Sequence, residues 1–127
     1  MLEVIYYHDA DGHCEILDWL DDLDRRACTN KDCRVQFKQI MGCINLLETD
    51  DMNLNKMGDK ASKIREDLWE LRPGNNRIFF AFLLKGTNKV ILLHHFRKKG
   101  QKTPEKEIKR ASSNLADYRQ RYKESLR

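Results

Sequence analysis

Residues 68–96 read Leu68-Trp69-Glu70-Leu71-Arg72, Pro73-Gly74-Asn75-Asn76, Arg77-Ile78-Phe79-Phe80-Ala81-Phe82-Leu83-Leu84, Lys85-Gly86-Thr87-Asn88-Lys89, Val90-Ile91-Leu92-Leu93-His94-His95-Phe96. The first block alternates in polarity and predicts a strand. Pro73-Gly74-Asn75-Asn76 predicts a turn, because proline presets φ while glycine and asparagine tolerate the left-handed region. Arg77 to Leu84 is almost continuously apolar, which suits a central strand. A second turn over 85–89 leads into Val90 to Phe96. Three strands joined by two short turns predict an antiparallel meander.

Upstream of the meander, Val4-Ile5-Tyr6-Tyr7 predicts a short first strand, broken by Asp9-Ala10-Asp11-Gly12. Ile16, Leu20, Leu23 and Ala27 then recur at helical spacing, with Asp18, Asp21, Asp22 and Asp24 on the solvated face. After Thr29-Asn30, a second helix carries the stripe Phe37, Ile40, Met41, Ile44 and Leu47, ending near Glu48. The pair predicts an antiparallel helical hairpin. Residues 49–63 predict a polar loop. Downstream, Thr103 as cap, Pro104 at the first helical position and Glu105 and Glu107 in the first turn begin a last helix. Its packing stripe is Ile108, Ala111, Leu115 and Tyr118. The expected fold is α+β, in the order β-α-α-β-β-β-α, with the helices packed on one side of a small, mainly antiparallel sheet.

A length of 127 residues with 40% hydrophobic composition suits one domain over 1–127. No apolar run approaches the roughly 20 residues of a membrane helix, and Met1 to Ile5 lacks the basic and apolar runs of a signal peptide. A cytoplasmic protein without membrane attachment is expected. Cys14, Cys28, Cys33 and Cys43 have no common zinc spacing and are expected as reduced thiols. No metal and no cofactor is expected, and neither phosphate-cradling glycine loops nor the HExxH and GxSxG motifs occur.

The net charge of +4 conceals an asymmetry: residues 1–59 carry −7 and residues 60–127 carry +11. A positive half attracts a polyanion. Arg72 and Arg77 flank one turn, and Arg97-Lys98-Lys99 with Lys102 follow the third strand. Antiparallel pairing would bring that strand's distal end beside Arg77. Such a cluster suits a phosphodiester, since arginine offers paired donors and lysine a compact charge. It would also stabilise the added negative charge of a phosphoryl transition state. His94 and His95 face opposite sides of their strand, one toward the core and one toward the basic cluster, and either is a candidate proton carrier. Glu70, on the Arg72 face, is a candidate general base or an ion-pair partner that orients an arginine.

These residues carry a family resemblance. Leu68-Trp69-Glu70-Leu71-Arg72, Asn76-Arg77-Ile78-Phe79-Phe80, Val90 to Phe96, Lys98-Lys99, Thr103-Pro104, Glu107-Ile108 and Ala111 together resemble the RelE/ParE toxin superfamily, most closely its phage-derived HigB-like branch. The resemblance covers a third or more of the chain. It implies the toxin of a type II toxin–antitoxin system that inhibits translation. The implied activity is a metal-independent, ribosome-dependent mRNA endoribonuclease acting in the decoding site. Attack by a ribose 2′-hydroxyl on the adjacent phosphate is the implied reaction.

On that resemblance Arg77 contacts the scissile phosphate, Lys98 or Lys99 stabilises charge or protonates the leaving oxygen, and His94 or His95 transfers a proton. Arg72, Arg97, Lys102 and Glu70 complete the expected RNA-phosphate site. RelE has lysines in the strand matching Leu68 to Arg72, where this chain has Leu68 and Glu70, so the general base stays open among His94, His95 and Glu70. The implied partners are mRNA, the ribosome and a helix-turn-helix, HigA-like antitoxin. A ParE-type inhibitor of DNA gyrase and a non-catalytic nucleic-acid-binding module are the alternative readings.

Overall fold

The computed structural model describes residues 2–49, 60–83 and 88–125. The elements are β1 (Glu3–Tyr6), α1 (Glu15–Arg26), α2 (Lys31–Thr49), β2 (Ala61–Arg65), β3 (Leu68–Leu71), β4 (Asn76–Phe82), β5 (Lys89–Arg97) and α3 (Glu105–Ser125). The strands form one sheet in the order β1-β5-β4-β3-β2. β1 runs parallel to β5 and every other neighbouring pair is antiparallel. The α+β class and the meander agree with the sequence reading, and the architecture is compatible with a RelE-like fold.

Two features differ from expectation. β2 is an additional strand that begins in the last residues of the segment read as a polar loop and runs past it. It lies at the sheet edge and none of its residues is fully buried, so its hydrophobic signal is weak. The part of that loop over 50–59 lies outside the described residues, as do Leu84 and residues 85–87 of the second turn.

The helices also cover both faces of the sheet, not one. Ile78, Phe80, Val90 and Leu92 pack with Ile16, Leu20 and Leu23 of α1 and Ile40, Ile44 and Leu47 of α2. Phe79, Ala81, Ile91 and Leu93 pack on the opposite face with Ile108, Ala111 and Leu115 of α3. The nearly unbroken apolar run of β4 already requires this, because alternate side chains point to opposite faces and both sets must leave water. In α2, Met41 is exposed while Cys33 and Cys43 are buried. Met41 sits a full step around the helix from Ile40, beyond the edge of the buried stripe.

Local chemistry starts and stops the helices. The Cys14 thiol accepts from the Leu17 amide at the head of α1, and Asn30 Oδ1 accepts from the Cys33 amide at the head of α2. α3 begins at Glu105, with the Pro104 carbonyl accepting from the amides of Glu107 and Ile108. Thr103, the expected cap of this helix, instead donates its hydroxyl to Glu70.

β5 carries a bulge. Phe79 pairs with His94 but Phe80 pairs with Leu92, so Leu93 is the extra residue. The bulge resets the side-chain alternation. Leu93 and His94 both lie on the α3 face, while His95 turns toward α1.

Candidate nucleic-acid interface

The β3–β4 turn is the scaffold of the site. Asn76 is buried and donates through Nδ2 to Gln36 Oε1 of α2 at 3.0 Å, tying the turn to that helix. Gly74 adopts φ +60, the left-handed region that favours glycine. On the far side, Lys98 N donates to Asn75 O at 2.8 Å, and Asn76 pairs with Arg97. The end of β5 and its basic tail are thereby fastened beside the turn.

Arg77 projects from the first part of β4 and is held on several sides. Its Nη1 donates to the carbonyls of Gly74 and Asn76, each at 2.8 Å. Its Nε lies 3.2 Å from Glu70 Oε1, without hydrogen-bond alignment. Burial lowers the pKa of this guanidinium. The Glu70 carboxylate opposes that shift and the Arg72 charge adds to it. An arginine so placed stays protonated, and its fixed plane presets where the remaining N–H groups point.

Glu70 has no exposed surface. Its Oε1 serves Arg77 and also Arg72, whose Nε is 3.4 Å away, and its Oε2 accepts from Thr103 Oγ1 at 3.3 Å. Three strand or loop elements thus converge on one carboxylate, the arrangement a buried charge requires. Of the two roles read for Glu70 in the sequence, this geometry is that of an orienting partner.

Arg77, Lys98 and Lys99 line one open hollow of about 540 Å³ with Asn75, Gly100 and Gln101. Among the described residues no carboxylate lines it. The expectation that the meander gathers Arg77 with Lys98 and Lys99 agrees with this placement. Arg97 and Lys102 are exposed and do not line the hollow. Arg72 reaches Glu70 from the other side of the turn and lines a separate hollow against α2.

The two histidines lie elsewhere. His94 is buried, with Nε2 2.8 Å from Glu107 Oε2 of α3 and Nδ1 3.5 Å from Glu15 Oε2 of α1. His95 stacks on Trp19 of α1, with ring centroids 3.9 Å apart. Desolvation pushes its pKa down to about 4, so it is neutral near pH 7. Neither lines the hollow with Arg77. They do face opposite ways, as adjacent strand residues should. However, the bulge and the flanking helices engage both, and no histidine faces the basic cluster as expected.

The sequence reading missed Thr103 as the third partner of Glu70, and Asn75 and Gln101 as lining residues. Asn75 was legible only as turn chemistry, and nothing in a lone Gln101 marks it. Asp9, Asp11 and His13 place ligand atoms within 4.8 Å of one another. Asp9 Oδ1 already accepts from the amides of Asp11 and His13, which is the ordinary work of an aspartate in a turn. No helix among the described residues is long and apolar enough to cross a membrane.

A family model described as Phage derived protein Gp49-like (DUF891) matches residues 18–116. The matched stretch runs from α1 into α3 and contains every residue lining the Arg77 hollow. No curated protein matches the chain.

Proposed function

The chain belongs to the phage-derived Gp49-like family, within the RelE toxin-like group, and on that premise we propose that it is a HigB-like mRNA interferase. In this reading residues 1–127 form one toxin domain that acts on translated mRNA in the decoding site, in the cytoplasm. A toxin-like module implies an antitoxin; the partner proposed here is a helix-turn-helix, HigA-like protein. The observation that carries the reading is the hollow lined by Arg77, Lys98 and Lys99, with no carboxylate in its lining among the described residues.

The proposed reaction needs no bound group beyond these side chains. A ribose 2′-oxygen attacks the adjacent phosphorus and the 5′-oxygen leaves, giving a 2′,3′-cyclic phosphate and a 5′-hydroxyl. Arg77 donates its free N–H groups to the nonbridging oxygens, whose charge grows in the transition state. Lys98 or Lys99 neutralises or protonates the departing 5′-oxygen. Arg72 supplies a further phosphate contact, and Arg97 and Lys102 add long-range attraction. Glu70 fixes Arg77. The 2′-hydroxyl proton passes to water or a ribosomal group, because His94, His95 and Glu70 are each engaged away from the hollow.

The test is 5′-end mapping of transcripts after induction. The parent chain should produce new 5′ ends within translated messages. Lys98→Ala/Lys99→Ala should abolish them without losing fold, since Lys99 is exposed and Lys98 only half-buried. Arg77→Lys should abolish them too, as an ammonium cannot span two carbonyls and a phosphate together. DNA breaks without new transcript ends would identify a gyrase poison instead.

A further inference from the structure

The β3–β4 turn has a second basic hollow on its other side, against α2. It encloses about 400 Å³, and among the described residues its cations are Lys38, Lys60 and Arg72, with no carboxylate in the lining. Lys38, Gly42, Asn45 and Thr49 share one face of α2 by helical spacing. A Cβ at Gly42 would meet nothing within 4 Å, so the floor there is open. Lys38 and Lys60 are both exposed, and their flexible ammonium groups are free to follow a charged ligand.

This hollow is mechanically joined to the one that holds Arg77. Gly74 lines the α2 hollow, and its carbonyl anchors the Arg77 guanidinium. Arg72 lines the α2 hollow and shares Glu70 Oε1 with Arg77. One turn and one buried carboxylate therefore fix an arginine in each of two adjacent basic hollows. A polyanion bound at Arg77 and continuing over Pro73-Gly74 would meet Lys38 and Lys60 next. Single-stranded nucleic acid is the polyanion that such a positive track suits, since it presents one charge per nucleotide along a flexible backbone.

We propose that Lys38, Lys60 and Arg72 form a second phosphate-binding subsite that holds RNA adjoining the linkage seated at Arg77. The inference rests on the RNA-cleaving reading above and extends it to residues outside the cleavage hollow. The ligand chemistry is an RNA phosphate, whether from the substrate strand or from ribosomal RNA beside it.

The experiment measures binding of a 2′-O-methyl octanucleotide, which cannot be cut, by fluorescence anisotropy across a salt series. Lys38→Ala/Lys60→Ala should weaken binding about tenfold. It should also flatten the slope of log affinity against log salt by about 0.7 for each phosphate that is no longer neutralised. Lys98→Ala/Lys99→Ala serves as the control for the cleavage hollow. Should that control weaken binding while Lys38→Ala/Lys60→Ala changes neither affinity nor slope, the second subsite is overturned and the cleavage reading stands. Should neither double variant change binding to the octanucleotide or to vacant small ribosomal subunits, both are overturned. Weaker binding of the octanucleotide identifies the substrate strand as the ligand. Weaker binding seen only with the subunits identifies ribosomal RNA.

Discussion

Glu70 is a carboxylate without solvent contact, held by Arg77, Arg72 and Thr103. Burying a charge costs several kcal/mol unless partners replace its water, and removing one partner leaves the other charge stranded. Glu70→Ala should therefore destabilise the fold by roughly 3–5 kcal/mol, read from urea unfolding. Glu70→Gln keeps the shape and one acceptor oxygen but not the charge that orients Arg77. Its cleavage rate should fall far more than its unfolding midpoint. Thr103→Val removes a single hydrogen bond and should cost about 1 kcal/mol. The same reasoning makes Arg77→Ala a poor probe of mechanism alone, because it removes an ion-pair partner of the buried carboxylate. Glu70 was legible in the sequence as facing with Arg72, by strand alternation. Its enclosure by Thr103 was not, because that contact spans 33 positions and depends on where α3 docks.

β5 shows where pattern reading ends. Its apolar run announces a buried strand, but Leu92-Leu93-His94-His95 contains no glycine or other marker of the bulge that turns His94 toward α3. β2 was equally hidden, since an edge strand with half-exposed residues resembles a loop. The turns, in contrast, were legible because Pro73-Gly74-Asn75-Asn76 has few other uses. At this scale β4 is the most sensitive element: Phe80→Ala, at a site with no exposure, should cost about 3–5 kcal/mol. His95 gives β5 a pH dependence. Its folded pKa of about 4 lies below the ordinary value of 6.5, so the unfolded chain binds the proton more readily between those values. The stabilisation of neutral His95 is complete above pH 6.5 and is lost as pH falls toward 4. Unfolding free energies for the parent chain should drop across that window, and His95→Phe, which keeps a ring against Trp19, should flatten the drop.

Across the whole molecule, charge and topology meet at one turn. The sequence showed a chain of −7 in its first 59 residues and +11 in the remainder, but not which cations share a hollow. Pairing decides that: Asn76 opposite Arg97 places Lys98 at the turn, while Arg97 and Lys102 remain on the outside. The Lys38–Lys60 hollow was invisible because its lysines belong to different elements and only the docking of α2 brings them together. The central claim is that Arg77, Lys98 and Lys99 act jointly on one RNA linkage. Its most direct test is cleavage of mRNA on programmed ribosomes by the purified chain, comparing the parent with Lys98→Ala/Lys99→Ala at equal unfolding midpoints. The parent should cut, and the variant should cut about a hundredfold more slowly, on the order of 3 kcal/mol of transition-state stabilisation. Equal rates for the two proteins would contradict that claim.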